Sequence, residues 1–398
     1  MADVVTLIQR ANAGRDPERL ALKYRAMRAS PFAFLRGTCA LFYERLPTGG
    51  VFKSAPLVWA CGDLHLENFG SYRGDNGLAY FDINDFDEAA LAPATWDLVR
   101  FITSVLIAAD DLGLSASRGH RLCEVFLEAY AGALKTGKAY WVERDTATGV
   151  IRDLLESVAT RKRPRFLDSR TEESGDKRTL RVDNGKALAA AKAQRARVRD
   201  FMRAFAATQN DPAFYRMIDV ARRIAGTGSL GLERYVVLVR GSGSPDDNHL
   251  LDLKVAPRSS LRATLKVPQP SWTSEAHRIA AIQQRMQAVP VALLEAVTMD
   301  ERPFVLRALQ PSDDRVDLGQ ADAAQLEQLV GTMGQLVAWA ELRSAGRDGS
   351  ATADELIAFG GRKKWKTALL DAATACAAQV RKDAAVFNDA FDAGAFRT

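Results

Sequence analysis

The stretch CGDLHLENFG, Cys61 to Gly70, places an Asp, a His, a Glu and an Asn close together, directly after the apolar run LVWACG. Polar groups that leave a buried segment are costly unless partners satisfy them or chemistry uses them. One reading is a turn at a strand end. The other is an active-site loop, and the spacing Asp63-x-x-x-x-Asn68 states its chemistry. Phosphoryl transfer needs one carboxylate to orient the acceptor hydroxyl and take its proton. It also needs an amide oxygen on the same loop to hold a magnesium ion. Asp63 is then the base and Asn68 the metal ligand. His65 lies between them, placed to orient the loop or to reach the transferred phosphate, and Glu67 falls to the surface or behind the site.

A second acidic group follows in FDINDFDEA, with Asp82, Asp85 and Asp87 in or just after an apolar strand. Hard oxygen ligands of this kind suit Mg²⁺. Asp85 is the expected metal ligand, with Asp82 and Asp87 as alternatives. The plain alternative is an exposed acidic turn. Three carboxylates around Phe81, Ile83 and Phe86 repel one another unless a cation or basic group compensates.

GTGSLG, Gly226 to Gly231, matches G-x-G-x-x-G. The dinucleotide-binding form of that pattern opens a helix. Here LERYVVLVRG follows, which is strand-like, so the pattern suits a hairpin whose glycines let backbone N–H groups approach nucleotide phosphates. Gly226, Gly228 and Gly231 supply the turn, and the Ser229 hydroxyl is a further donor. The next strand, LLDLKVA, centres Lys254 among alternating apolar residues, within reach of α- and β-phosphates. The structural alternative is a hairpin with a snorkelling lysine.

These residues need elements to carry them. LVWACG and GLAYFDIND read as strands, the latter after the turn RGDNG. WDLVRFITSVLIAADDLG reads as a helix closed by Gly113, and another covers about Arg118 to Thr136. Asp16 to about Tyr43 is mostly helical, with Gly37 as a possible interruption. MIDVARRIAG, LERYVVLVRG and HLLDLKVA read as strands, followed by the helix SEAHRIAAIQQRMQ and the strand RPFVLRALQ. From about Ala321 the chain is helical. Thr160 to Asp200 carries 13 Lys or Arg against 6 acids and reads as an exposed basic insertion. Its bland reading is a solvated face; the sharper one is a basic wall for an anionic substrate.

A chain of 398 residues is long enough for two lobes. The net charge of +5 is too mild to mark a dedicated nucleic-acid binder, and the basic stretch lacks interleaved aromatics for base stacking. Cys39, Cys61, Cys123 and Cys376 are far apart, against a disulfide framework or a zinc site. The N-terminus reads as an amphipathic helix without a signal-peptide core, and the apolar stretch FITSVLIAA is too short to span a bilayer. The expectation is a cytoplasmic protein with no membrane partner.

GDLHLENFG, then DFDEA, then Pro93-x-x-Trp96-Asp97-Leu98 resemble the site motifs of aminoglycoside and choline kinase-like phosphotransferases. SPFAFLRG (Ser30 to Gly37), GDLHLENFG, DINDFDE, the GTGSLG hairpin and Lys254-x-Ala256 resemble a bacterial family of unknown function, DUF2252, over most of the chain. The kinase resemblance implies an α+β, two-lobe, protein-kinase-like fold, Mg-ATP as cofactor, and the roles given above. The sequence departs from the kinase pattern in four ways. Cys61 stands where those kinases have a His. The glutamate that pairs with the lysine is not obvious; Glu275 is the best-placed acid, with Gln283 deeper in the helix. Glu341 stands where a His is expected. The order of the motifs is also changed, since the loop of Asp63 precedes the hairpin of Gly226.

Joining the C-terminal region to the N-terminus restores the usual order, as a circular permutation would. The expected organisation is a helical large lobe from residues 1–213 and 312–398, with a small antiparallel β lobe at 214–311 and a hinge near Leu309. The expected activity is transfer of the γ-phosphate to a hydroxyl acceptor, small molecule or protein, that the sequence leaves unidentified. A nucleotide-binding pseudokinase and an AMP-transferring enzyme are the alternatives. A two-metal phosphoesterase fits less well, because His120, His249 and His277 stand in contexts unlike metal motifs. Arg36, in SPFAFLRG, is expected to pair with an acid.

Overall fold

The computed structural model describes residues 3–175, 177–182, 185–243 and 245–397. The fold is α+β. Four short helices open the chain: Val4–Ala11 (α1), Pro17–Ala29 (α2), Pro31–Gly37 (α3) and Cys39–Arg45 (α4). Local chemistry sets the breaks. Asp16 caps α2 by accepting from Arg19 N, and Ser30 caps α3 by accepting from Ala33 N, each ahead of a proline at the first helical position. The interruption expected near Gly37 falls at Thr38, between α3 and α4.

Two small antiparallel pairs carry the candidate loops. Leu57–Ala60 (β1), Phe69–Arg73 (β2), Ala79–Ile83 (β3) and Ala90–Pro93 (β4) pair β1 with β4 and β2 with β3. The acidic loop therefore runs from β1 to β2, and FDINDFDEA runs from β3 to β4. Thr95–Asp111 (α5) and Ala116–Thr136 (α6) follow. α5 is buried along nearly its whole length, from Thr95 to Ala109.

The basic stretch departs from its expectation. Beyond Gly149–Ala159 (α7) it forms Arg163–Asp168 (α8), the hairpin Thr171–Ser174 (β5) and Lys177–Leu180 (β6), Ala187–Leu188 (β7) and Lys192–Ala206 (α9). With Met217–Arg223 (β8), Arg234–Val239 (β9), His249–Val255 (β10), Glu295–Met299 (β11) and Arg302–Leu309 (β12), β7 completes a six-stranded sheet of order β11-β12-β10-β9-β8-β7. The stretch is not simply exposed. Leu167, Leu180 and Ala187 pack on one face of this sheet against Val236, Leu238 and Leu250. Val198 and Met202 of α9 cover the other face, against Val237, Leu251 and Leu253. Its positive charge is partly internal. Arg178 is buried and held by Asp168 (2.7 Å), Glu173 (2.7 Å) and Asp246 (2.9 Å).

Glu275–Met286 (α10) precedes β11, and Ala323–Ser344 (α11), Ala353–Gly361 (α12) and Lys364–Asp392 (α13) close the chain. The main core packs α11 and α12 on α6 and α13 on α5. Glu341 is buried there and accepts from Tyr130 Oη at 2.5 Å; burial raises its pKa well above the usual range, against the pull of that hydrogen bond. Among the described residues, no helix is long and apolar enough to cross a membrane.

Candidate active site

The loop after β1 is anchored from below. Asp97, in the first turn of α5, accepts from Cys61 N (2.7 Å) and Gly62 N (2.9 Å). Burial pushes its pKa up to about 6, against the pull of those hydrogen bonds. Gly62 has φ +85, and a Cβ there would collide with the Glu88 carbonyl, so the position needs glycine. Asp97 and Gly62 together fix where Asp63 starts.

One oxygen of Asp63 is also fixed. Oδ1 accepts from Arg100 Nε at 2.6 Å. Arg100 is fully buried on α5, donates to Leu35 O (2.9 Å) and lies 4.9 Å from the Phe42 ring centre. Burial raises the Asp63 pKa, and the Arg100 charge opposes that. Oδ2 faces the glycine turn, where a Cβ on Gly228 would lie 3.8 Å away. The carboxylate is thus clamped through one oxygen and open at the other.

His65 is buried, and its Nδ1 accepts from Glu67 N (3.1 Å), which puts the proton of the neutral ring on Nε2. Burial first, then the Arg36, Arg100 and Arg315 charges, hold its pKa well below the usual value. Asn68 donates Nδ2 to the Asp63 carbonyl, leaving its amide oxygen as an acceptor. Glu67 lies behind the site, shared by Arg36 (2.6 Å) and Arg315 (2.7 Å). The expected Arg36 ion pair is therefore present.

The three aspartates of the second motif separate. Asp82 points away, 3.4 Å from Arg343 and 3.3 Å from Ala288 N. Asp87 forms an ion pair with Lys254. Asp85 is exposed and has no cation within ion-pair distance among the described residues. Its setting between the cleft walls desolvates the carboxylate even though it stays open to solvent, and Lys254 leads the groups that nevertheless hold its pKa below the usual range. Asp87 is pushed up by burial and by Asp85, with Lys254 opposing. The two carboxylates thus feel each other across the turn.

Lys254 and Asp252 share one face of β10, while Leu251, Leu253 and Val255 face α9. Glu275 does not reach Lys254. It sits in the first turn of α10, bound to Arg278 (2.6 Å) and Arg262 (3.2 Å). Arg278 in turn donates to the carbonyls of Asp87 (2.8 Å) and Ala89. Gln283, two turns further along, is the α10 residue that lines the space beside Lys254 together with Ile279. The Glu275 carboxylate is taken up by these two arginines, which is the physical reason that it is not the partner.

The glycine turn follows β8, with φ +70 at Gly226 and +87 at Gly231. The N–H groups of Thr227, Gly228 and Ser229 have no acceptor among the described residues. The Ser229 hydroxyl is spent inside the turn, donating to Ala225 O at 3.0 Å, so it is not a free donor. Sequence reasoning missed the support from the N-terminal helices. Arg15 Nη1 donates to Gly228 O (2.7 Å) and Leu230 O (2.8 Å), and Lys23 Nζ donates to Gly228 O (3.1 Å).

A cavity of about 790 Å³ brings together Asp63, His65, Asn68, Asp85, Asp87, Gly226, Gly228, Ser229 and Gly231. Lys254 lines a smaller cavity of about 50 Å³, and the two share only Asp85 and Asp87. Of the basic stretch, Gln194 and Arg197 reach the large cavity. Arg197 is already paired with Glu233 (3.0 Å), so the described residues of the stretch form no basic wall. Among the described residues, no three His, Cys, Asp or Glu side chains form a metal-binding cluster. His249 packs on Phe214 and His277 on Trp272, both outside the cavity lining.

A family described as "Uncharacterized protein conserved in bacteria (DUF2252)" matches residues 15–390. The chain belongs to the DUF2252 family. No curated protein and no solved structure matches it. The DUF2252 match takes in every candidate residue above, from Arg15 in the N-terminal arm to Lys254.

Proposed function

We propose that this DUF2252 protein is an Mg-ATP-dependent phosphotransferase with a circularly permuted kinase-like arrangement. Asp63 is the base toward a hydroxyl acceptor. The observation that carries this reading is the convergence on one cleft of groups far apart in the chain. The Asp63 loop, the Asp85–Asp87 turn and the glycine turn line one cavity, and Asp87 ties that cavity to Lys254.

The residues fit the absent group on its phosphate side. Mg²⁺ is held by few protein ligands plus phosphates rather than by an all-protein cage. The Asn68 amide oxygen and the unpaired Asp85 carboxylate suit that demand. Free N–H groups on the glycine turn suit phosphate oxygens. Bound Mg-ATP supplies the γ-phosphoryl group and neutralises charge on it. The chain's own work is then positional. Asp63 Oδ2 accepts the hydroxyl proton while Arg100 holds Oδ1 still. Neutral His65 presents Nε2–H as a donor. Lys254, tethered by Asp87, steadies phosphate oxygens.

One observation favours a second reading, AMP transfer. The sheet face beside Lys254 carries Asp252, bound by Arg234 (2.8 Å) and Arg223 (2.6 Å) with Arg307 at 3.6 Å. A purine wants an apolar slot, whereas arginines suit phosphates. A nucleotide lying the opposite way would put its phosphates toward these arginines. Incubation with ATP labelled at the γ- or the α-phosphate separates the two. Label carried to an acceptor from the γ position only, and lost in Asp63→Asn, supports phosphoryl transfer. Label from the α position supports AMP transfer. Neither label moving from protein that binds Mg-ATP leaves the pseudokinase.

A further inference from the structure

Arg15 and Lys23 are cations with no carboxylate within ion-pair distance among the described residues. Lys23 is 2% exposed. Among the described residues its ammonium meets the Asn12 side-chain oxygen (2.8 Å) and Gly228 O (3.1 Å). Arg15 spends Nη1 on two carbonyls, and its Nε and Nη2 have no partner among the described residues. Burying a charge without a counter-charge is strongly unfavourable. Burial, reinforced by Arg15, holds the Lys23 pKa well below its usual value, and the charges of Asp63 and Glu88 only oppose this from a distance. Both side chains line the large cavity, and so does the exposed Arg258, which also has no acidic partner among the described residues. Nearby, Arg36 and Arg315 share the carboxylate of Glu67, and Arg36 Nε is buried with no hydrogen-bond partner among the described residues. Lys254 does not line this cavity. The excess positive charge therefore lies away from Lys254, where Arg15 and Lys23 meet the carbonyl side of the glycine turn.

We propose that the acceptor is an alcohol bearing a phosphate monoester, whose phosphate is bound by Arg15 and Lys23, with Arg258 at the cavity mouth. A guanidinium fork beside an ammonium matches a phosphate dianion, which supplies the missing counter-charge. Bound there, the ester shares the cavity with the open oxygen of Asp63. The inference rests on the phosphotransferase reading for the word acceptor, but the oxyanion subsite is testable without it.

The test is calorimetric titration of the full chain, without nucleotide, using glycerol 3-phosphate, glycerol and orthophosphate as probes. Glycerol 3-phosphate should bind, glycerol should not, and orthophosphate should bind more weakly than the ester. Lys23→Met and Arg15→Gln should each weaken the ester by about tenfold to a hundredfold, the range for a charged hydrogen bond. Lys23→Arg should retain it. Lys254→Ala should leave it unchanged. Circular dichroism confirms that each variant folds. No binding by folded wild type, or equal binding in Lys23→Met and Arg15→Gln, overturns the subsite. Orthophosphate binding as tightly as the ester overturns the acceptor assignment. Mg-ATP titrated into the same samples keeps the two ideas apart: ester binding without Mg-ATP binding removes the nucleotide reading and supports the subsite on its own.

Discussion

Removing both partners of the Asp63–Arg100 pair should cost far less than the sum of removing each alone. The Arg100 side chain is 0% exposed and that of Asp63 is 20% exposed. Breaking a buried pair by deleting one partner costs about 3–5 kcal/mol, because a charge is left without compensation. The partial exposure of Asp63 places Arg100→Met toward the lower end. Asp63→Asn keeps the shape but leaves the guanidinium among Leu35, Phe42 and Tyr43 with its charge unanswered, so about 3 kcal/mol is expected there too. The double variant has no stranded charge. It still leaves the Leu35 carbonyl without its donor, worth about 1–3 kcal/mol. The singles should therefore sum to about 6 kcal/mol, while the double loses about 2–3 kcal/mol. Urea unfolding of the four proteins measures the cycle. A double variant that loses the sum of the singles to within about 0.5 kcal/mol would refute the idea that Arg100 holds Asp63 by charge.

Asp97 makes stability depend on pH with a defined sign. Its folded pKa of about 6 lies above the unfolded-chain value of 3.8, so the folded state holds the proton more tightly, and this contribution is lost as pH rises through that window. Wild type should lose up to about 3 kcal/mol relative to Asp97→Asn between about pH 4 and about pH 7, measured by urea unfolding; parallel curves would contradict it. Gly62→Ala should cost more than about 2 kcal/mol, because the positive φ and the Glu88 carbonyl both oppose a Cβ; a thermal melt unchanged from wild type would show that the loop is not braced there. Asp82→Asn should leave Mg-ATP binding unaltered while reducing stability, since its carboxylate faces Arg343 rather than the cavity; weakened binding in a variant that melts like wild type would reopen its candidacy as a metal ligand.

Much of the site's local grammar was legible. Alternation in LDLKV fixes which side chains face α9 and which face away from it, so Lys254 was visible as the odd residue in an apolar strand. The positive-φ glycines of GTGSLG were legible for a similar reason, because few other residues tolerate those angles. Pairings across the chain were not legible. Lys254 takes Asp87, 167 residues away, and no local pattern distinguishes Asp87 from Asp85. Glu275 looked right by helix position, but the direction of α10 turns it toward Arg262 and Arg278. Arg15 and Lys23 belong to an ordinary-looking amphipathic arm; only folding brings them to Gly228. Arg100 did leave a signal, as a lone charge in the apolar run LVRFITSVL, and Asp97 stood in a quoted motif without a role. The basic stretch misled because its composition is that of a solvated face, while Leu167, Leu180, Ala187 and Val198, spaced far apart within it, are what bind it to the sheet.

The most direct test of the central claim is calorimetric titration of Mg-ATP into wild type, Lys254→Ala and Asp85→Ala, each with and without magnesium. The account predicts magnesium-dependent binding by wild type that is weakened in Lys254→Ala and loses its magnesium dependence in Asp85→Ala. Folded wild type that binds no Mg-ATP, or variants that bind it as tightly as wild type, would contradict the assignment of this cleft to a nucleotide.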